Sequence, residues 1–126
     1  MATLKIIIER SEDAFWAYAE KLNGVTGAGD TVTEAKKSVL QGLALQIKLG
    51  NIPNKKYKIH YRFDTESLLN YYKGIFTNSA LEKMTGINQK QIQHYASGLK
   101  KPRPGQTKKI EKALHNLGQE LLMIEL

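Results

Sequence analysis

The residue pattern predicts an α+β protein, a small β-β-β-α-β domain followed by an all-α domain. Three observations lead there. Apolar and polar residues alternate in short segments before residue 64, as half-buried strands require. One long stripe of helical spacing interrupts them between residues 31 and 49. After residue 64 the apolar residues recur only at helical spacing. The domains are therefore drawn as 1–64 and 65–126.

Thr3 to Glu9 sets Leu4, Ile6 and Ile8 on one face and Ile7 on the other. Alternation and β-branching make it a strand. Ser11-Glu12-Asp13 is a polar turn. Ala14 to Ala19 is a second strand, with Phe15, Ala17 and Ala19 opposed to Trp16 and Tyr18. A short third strand is expected near Val25 and Thr26, kinked by Gly24, Gly27 and Gly29. Thr31-Val32-Thr33-Glu34 has the capping-box pattern. The helix it opens runs to about Leu49, with Val32, Ala35, Val39, Leu43 and Ile47 in one stripe that Leu40 and Ala44 widen. Gly50 stops it. Tyr57 to Asp64 sets Tyr57, Ile59, Tyr61 and Phe63 against Lys58, His60 and Arg62, a strand with one wet face.

Asp64 or Thr65 caps a helix expected over residues 66–76. A shorter helix follows from Ser79 to Thr85, with Ala80, Leu81 and Met84 apolar. Gly86 can take the left-handed conformation that ends it, Ile87 returns to the core, and Asn88 can cap the next helix. That helix runs from Gln89 to Ser97, with Ile92 and Tyr95 inward and Gln89, Lys90, Gln93 and His94 outward. Gly98 ends it, and Lys100, Lys101 and Arg103 follow around Pro102. A last helix from Gln106 or Thr107 turns Ile110, Ala113, Leu114, Leu117 and Leu121 inward, with Gly118 kinking or ending it. The apolar residues 121–126 should pack on their own core or on a second copy.

The layout around Gly86 is what a DNA-reading helix pair needs. Glutamine amides donate and accept at once, which suits an adenine edge in the major groove. Gln89, Lys90 and Gln93 are the base-reading candidates, flanked by Gln91 and His94. Ser79, Lys100, Lys101 and Arg103 are the phosphate-holding candidates. The charge is placed accordingly. The chain carries 19 basic and 12 acidic residues, net +7. Residues 83–112 hold 8 basic residues and one acid, whereas residues 1–64 hold 10 and 7. Paired recognition helices on a near-palindromic site imply at least a dimer.

Other classes fit less well. Cysteine is absent, so there is no disulfide, thiolate metal site or cysteine nucleophile. No run reaches the roughly 20 apolar residues of a membrane span, and no signal peptide is legible at the N-terminus. A cytoplasmic protein is expected. His60, His94 and His115 lack a metal-ligand spacing. The carboxylates are taken up by turns and caps rather than by a divalent-ion cluster. No catalytic residue, metal or cofactor is therefore assigned. Trp16 and Tyr18 either pack against the long helix or form a partner interface, where such residues anchor binding.

Thr85-Gly86-Ile87-Asn88-Gln89, with Ile92, Ser97-Gly98 and Lys100-Lys101-Pro102, resembles the phage repressor-type helix-turn-helix family over about half the chain. The small alanine of that family's first helix falls here on Glu82, unless the register shifts it to Ala80. Leu22-Asn23-Gly24, Gly29-Asp30-Thr31 and Glu34-Ala35 are similar to the HicB-family antitoxin domain, with Asn23 in place of its usual proline. That resemblance covers residues 1 to about 64. It implies an incomplete ribonuclease H-like fold that binds a small mRNA-cleaving toxin of the HicA family, with Trp16 and Tyr18 as candidate toxin or subunit contacts. The helical domain would then bind the operon's own operator DNA and repress it. The rival expectations are a stand-alone phage-type repressor, whose first domain serves oligomerisation or sensing, and a ribonuclease H-like enzyme tethered to nucleic acid.

Overall fold

A computed structural model describes residues 2–126. The chain divides into two compact units, Met1–Ser67 and Leu68–Leu126. The seam lies just past the boundary read at residue 64.

The first unit contains β1 (Ala2–Arg10), β2 (Phe15–Ala19), β3 (Thr26–Gly29), α1 (Val32–Lys48) and β4 (Tyr57–Phe63). The strands form one sheet in the order β3-β2-β1-β4. β1 pairs antiparallel with β2, β2 antiparallel with β3, and β1 parallel with β4. Parallel pairing needs a crossover, and α1 is part of it. The expected alternation holds: Leu4, Ile6, Ile8, Ala17 and Ala19 are buried in one core with Val32, Ala35, Val39 and Leu43. Tyr57, Ile59, Tyr61 and Phe63 pack against that core. The ammonium of Lys36 lies 4.3 Å from the centre of the Tyr61 ring.

Glycines decide how close α1 comes. A Cβ on Gly27 would stand 2.3 Å from the Val39 nitrogen, and one on Gly29 would stand 2.4 Å from the Glu34 Cβ. On the helix side, a Cβ on Gly42 would meet the Thr26 carbonyl oxygen at 2.9 Å. Where the sequence suggests a kinked strand, the structure has close backbone approach instead. Ser38 Oγ accepts a hydrogen bond from the Ala28 amide across the contact, at 3.2 Å.

Both ends of α1 are capped. Thr31 Oγ1 accepts from the Glu34 amide at 3.1 Å. The Glu34 carboxylate accepts from the Asp30 amide at 2.8 Å, one residue before the usual capping-box partner. At the other end Gly50 is left-handed at φ 78°. Its amide donates to Ile47 O and that of Asn51 to Gln46 O, both at 3.0 Å, a Schellman closure. Leu40 and Ala44 do not widen the buried stripe. They are exposed, as are Leu45 and Leu49. The aromatic pair also departs from the packing alternative. Trp16 and Tyr18 lie on the sheet face opposite the core, and Trp16 is 51% exposed.

Beyond β4, Asp64 Oδ2 caps α2 (Thr65–Tyr71) by accepting from the Ser67 amide at 3.1 Å. α2 is shorter than expected. Past Tyr71 the bonds tighten, Lys73 donating to Asn70 O at 3.4 Å and Ile75 to Tyr72 O at 2.9 Å, as the chain reaches Gly74.

The second unit continues with α3 (Asn78–Thr85), α4 (Gln89–Ala96) and α5 (Pro104–Leu122). Its core is Leu69, Leu81, Ile87, Ile92, Tyr95 and Ile110. α5 starts earlier than expected because Pro104 suits a first helical position. It also runs through Gly118, so that glycine does not end it. Leu121 is not inward. It is 55% exposed, and Leu122, Met123, Ile124 and Leu126 are exposed beyond it, so the tail does not pack on its own core.

Two glycine substitutions should act in opposite directions. Gly27→Ala forces a methyl into the backbone of α1, so the first unit should lose about 1–3 kcal/mol or more. Gly118→Ala has open space around it and should stabilise the second unit by about 0.5–1 kcal/mol. Urea unfolding of each variant against the parent checks both signs.

Candidate nucleic-acid interface

The turn between α3 and α4 forms as its residues suggest. Thr77 Oγ1 caps α3 by accepting from the Ala80 amide at 3.0 Å. The amides of Asn78 and Ser79, in the open first turn, have no intrahelical partner. Gly86 is left-handed at φ 76°, and its amide donates to Glu82 O at 2.8 Å. Thr85 Oγ1 donates to Leu81 O at 2.6 Å and accepts from the Ile87 amide at 3.1 Å, which stitches the turn. Ile87 is buried below it.

Two side chains satisfy the start of α4. Asn88 Oδ1 accepts from the Lys90 amide at 2.8 Å. Glu82 Oε1 accepts from the Gln89 amide at 3.0 Å. Glu82 is the position that departs from the repressor-type pattern, and this is its structural use. Its carboxylate also sits at the positive end of the α4 dipole.

Ile92 and Tyr95 are buried, while Gln89, Lys90 and Gln93 are exposed on the other side of α4. Gln93 is not free: its Oε1 accepts from Asn78 Nδ2 at 2.9 Å. Asn78 escaped the sequence reading because only the fold sets it beside α4. Its place in the first turn of α3 was the available signal. Ser79 is exposed next to it.

Gln91 and His94 are placed differently from the exposed group. Gln91 is half-buried and donates from Nε2 to the Tyr95 hydroxyl at 3.0 Å. His94 is half-buried too, which corrects its outward reading. Its Nδ1 is buried with no hydrogen-bond partner among the described residues.

Gln91 and Tyr95 instead line a cleft of about 540 Å³ with Lys100, Lys101, Arg103 and Gln106. The structure thus gathers all three cations of the basic exit in one place. Gln106 and the Tyr95 hydroxyl were not foreseen there. The Tyr95 ring is core, and its hydroxyl accepts from Gln91 at the cleft. The cleft adjoins the first turn of α5, whose N-cap Arg103 makes no side-chain capping bond.

Trp16 and Tyr18 belong to the first unit. Trp16 Nε1 donates to Ser11 Oγ at 2.9 Å, and the Tyr18 hydroxyl donates to Glu9 Oε1 at 3.0 Å. That bond, with burial and the Glu9 charge behind it, holds the Tyr18 phenol above its usual pKa, while Arg62 pulls the other way. Among the described residues no group of three or more His, Cys, Asp or Glu could hold a metal ion. No described helix is long and apolar enough to cross a membrane. Comparison with protein-family models, with curated proteins and with solved structures finds no match for this chain.

The caps of α4 can be tested directly. Asn88→Ala should cost the second unit about 0.5–2 kcal/mol. Glu82→Gln keeps an acceptor for the Gln89 amide and should cost less than Glu82→Ala. Urea unfolding followed on the helical signal compares them. Equal losses for the two Glu82 variants would show that charge, not the hydrogen bond, matters there.

Proposed function

We propose that this protein is the antitoxin of a type II toxin–antitoxin system and represses its own operon by binding DNA. The observation that carries the DNA-binding half is the α3–turn–α4 pair with Gln89, Lys90 and Gln93 exposed together. A helix-turn-helix presents its second helix to the major groove in this way. Gln89 and Gln93 read base edges, with Asn78 fixing the Gln93 amide. Lys90 adds a cation beside them. Ser79 and the open amides of α3 hold one phosphate, and the Lys100–Lys101–Arg103 cleft holds another. Gln91 and His94 support these groups from the sides of α4.

The antitoxin half rests on the HicB resemblance, and the first unit supports it. The order β3-β2-β1-β4, with β4 parallel to β1 after a helical crossover, agrees with an incomplete ribonuclease H-like fold. Leu45 and Leu49, one helical turn apart, leave apolar surface on one flank of α1, with Leu40 exposed on the other, and a protein partner covers surface of this kind. The partner is a small mRNA-cleaving toxin of the HicA family, met in the cytoplasm. The exposed apolar tail after Leu121 fits pairing with a second copy, which places two recognition helices on one operator.

The test has two arms. In fluorescence anisotropy on DNA flanking the operon, Gln89→Ala or Gln93→Ala should relax discrimination by about 1–3 kcal/mol at one base pair. Lys101→Ala should weaken operator and random DNA alike and flatten the slope of log K against log salt by about 0.9. Equal losses on both DNAs for the glutamine variants would sink the readout assignment. In the second arm, the tagged chain is recovered from nuclease-treated native cells. A small basic protein retained in near-equal amount supports the antitoxin reading. Operator binding with no protein partner would leave a stand-alone repressor.

A further inference from the structure

The sheet of the first unit has two faces, and only one is used by its core. The other carries Trp16, Tyr18 and Ile7, beside Lys58, His60 and Arg62 along the edge strand β4. In register, Tyr18 pairs with Ile7, and Ile7 with Arg62, so an aromatic, an aliphatic and a cation stand in one row across three strands. Lys58, His60 and Arg62 are all exposed. As alternate residues of a strand they repeat about every 6.6 Å.

The unpaired positive charge on this face is concentrated along β4, while Glu9 keeps its negative charge across from Trp16. Glu20 is engaged by Lys5 at 3.7 Å, and Glu9 accepts the Tyr18 hydroxyl. Lys58 and Arg62 have no ion pair among the described residues. The polar tip of Trp16 is held by Ser11, and half of the residue is still open to solvent. Aromatic surface on an open sheet beside a lane of cations is the combination that binds a single strand. Bases stack on the rings, and phosphates follow the charges.

We propose that this open sheet face binds single-stranded nucleic acid, with bases on Trp16 and Tyr18 and phosphates along Lys58, His60 and Arg62. The site lies on the first unit and is separate from the duplex-binding surface proposed for the second. An acidic protein is the competing occupant. It would satisfy the cations, but it does not call for aromatic surface beside them.

Trp16 is the only tryptophan in the chain, beside six tyrosines, so fluorescence excited at the red edge, where tyrosine does not absorb, reports on this face. The full chain is titrated with short single-stranded RNA of mixed sequence, with the matching DNA strand, and with polyglutamate. Saturable quenching of Trp16 by either nucleic-acid strand is expected, and a preference for RNA would show that the 2′-hydroxyl is read. With end-labelled strand, Lys58→Ala/Arg62→Ala should lower affinity and flatten the salt slope by about 1.4, as loss of two phosphate contacts on a single strand requires. Trp16→Ala should weaken binding about tenfold. Lys100→Ala/Lys101→Ala/Arg103→Ala should leave the quenching unchanged. Strand binding that this triple variant abolishes, without any Trp16 response in the parent, would overturn the proposal and assign the strand to the second unit. Quenching by polyglutamate alone would overturn it in favour of an acidic protein. Operator-duplex binding, measured on the same samples, reports separately on the repressor reading.

Discussion

The first unit depends on how closely α1 can lie on β3. Gly27 and Gly29 present no side chain to the helix, and Gly42 presents none to the strand. The helix backbone therefore sits almost on the strand backbone. Its stripe of Val32, Ala35, Val39 and Leu43 then reaches the leucine and isoleucines of β1 and the alanines of β2. A Cβ at Gly27 or Gly29 would meet backbone or Cβ atoms, which cannot rotate away. The small residues of β2 belong to the same constraint. Ala17 and Ala19 are buried under a helix that leaves little depth for anything larger. One consequence is an asymmetric sheet. The fully buried apolar residues of the sheet all lie on one side, and the other side is left to Ile7, Trp16, Tyr18 and the basic residues of β4.

In the second unit the controlling problem is polar. A helix that keeps its first turn exposed must satisfy its amides without covering its outer side chains. Asn88 and Glu82 do this for α4 from below, on the side of the turn. Gln89 and Lys90 are left exposed. Asn78 does the complementary work on Gln93. It ties the acceptor oxygen and leaves the amide nitrogen for another partner. The tie spares part of the side-chain entropy that a free glutamine loses on binding.

Much of this was legible in the sequence because it is local. Alternation placed Leu4, Ile6 and Ile8 inside and Ile7 outside, and the helical stripe placed Val32, Ala35, Val39 and Leu43. Gly86, Ile87 and Asn88 announced a turn because each answers a backbone demand within a few residues. What escaped depends on distance. Gly27 was read as a kink because the helix backbone above it is twelve residues away in sequence, at Val39. Leu40 and Ala44 were read as buried because a helical stripe does not state its own width. Its limit is set by the sheet below. Gly118 was expected to kink or end α5, and the helix continues past it, since a helix passes a glycine at a cost of about 1 kcal/mol when its neighbours favour it. The Asn78–Gln93 bond and the cleft joining Gln91 to the basic exit are tertiary, and no spacing rule reaches them.

Glu82 also constrains how anions can approach the second unit. The start of a helix is ordinarily a good place for a phosphate, since free amides and the dipole both favour negative charge. At α4 that place is taken. The Glu82 carboxylate accepts from the Gln89 amide, and Asn88 accepts from that of Lys90. A phosphate brought there would meet an anion and lack two donors. On the DNA-binding proposal, phosphate contacts would therefore fall outside α4, at the first turn of α3 at Asn78 and Ser79 and in the cleft of Lys100, Lys101 and Arg103. α4 is left to act through its side chains rather than its backbone. A backbone amide can hold a phosphate but cannot tell one base from another, whereas a glutamine amide can. In the proposed DNA complex, the acid in the first helix would thus reserve the start of α4 for discrimination and assign affinity to the groups around it.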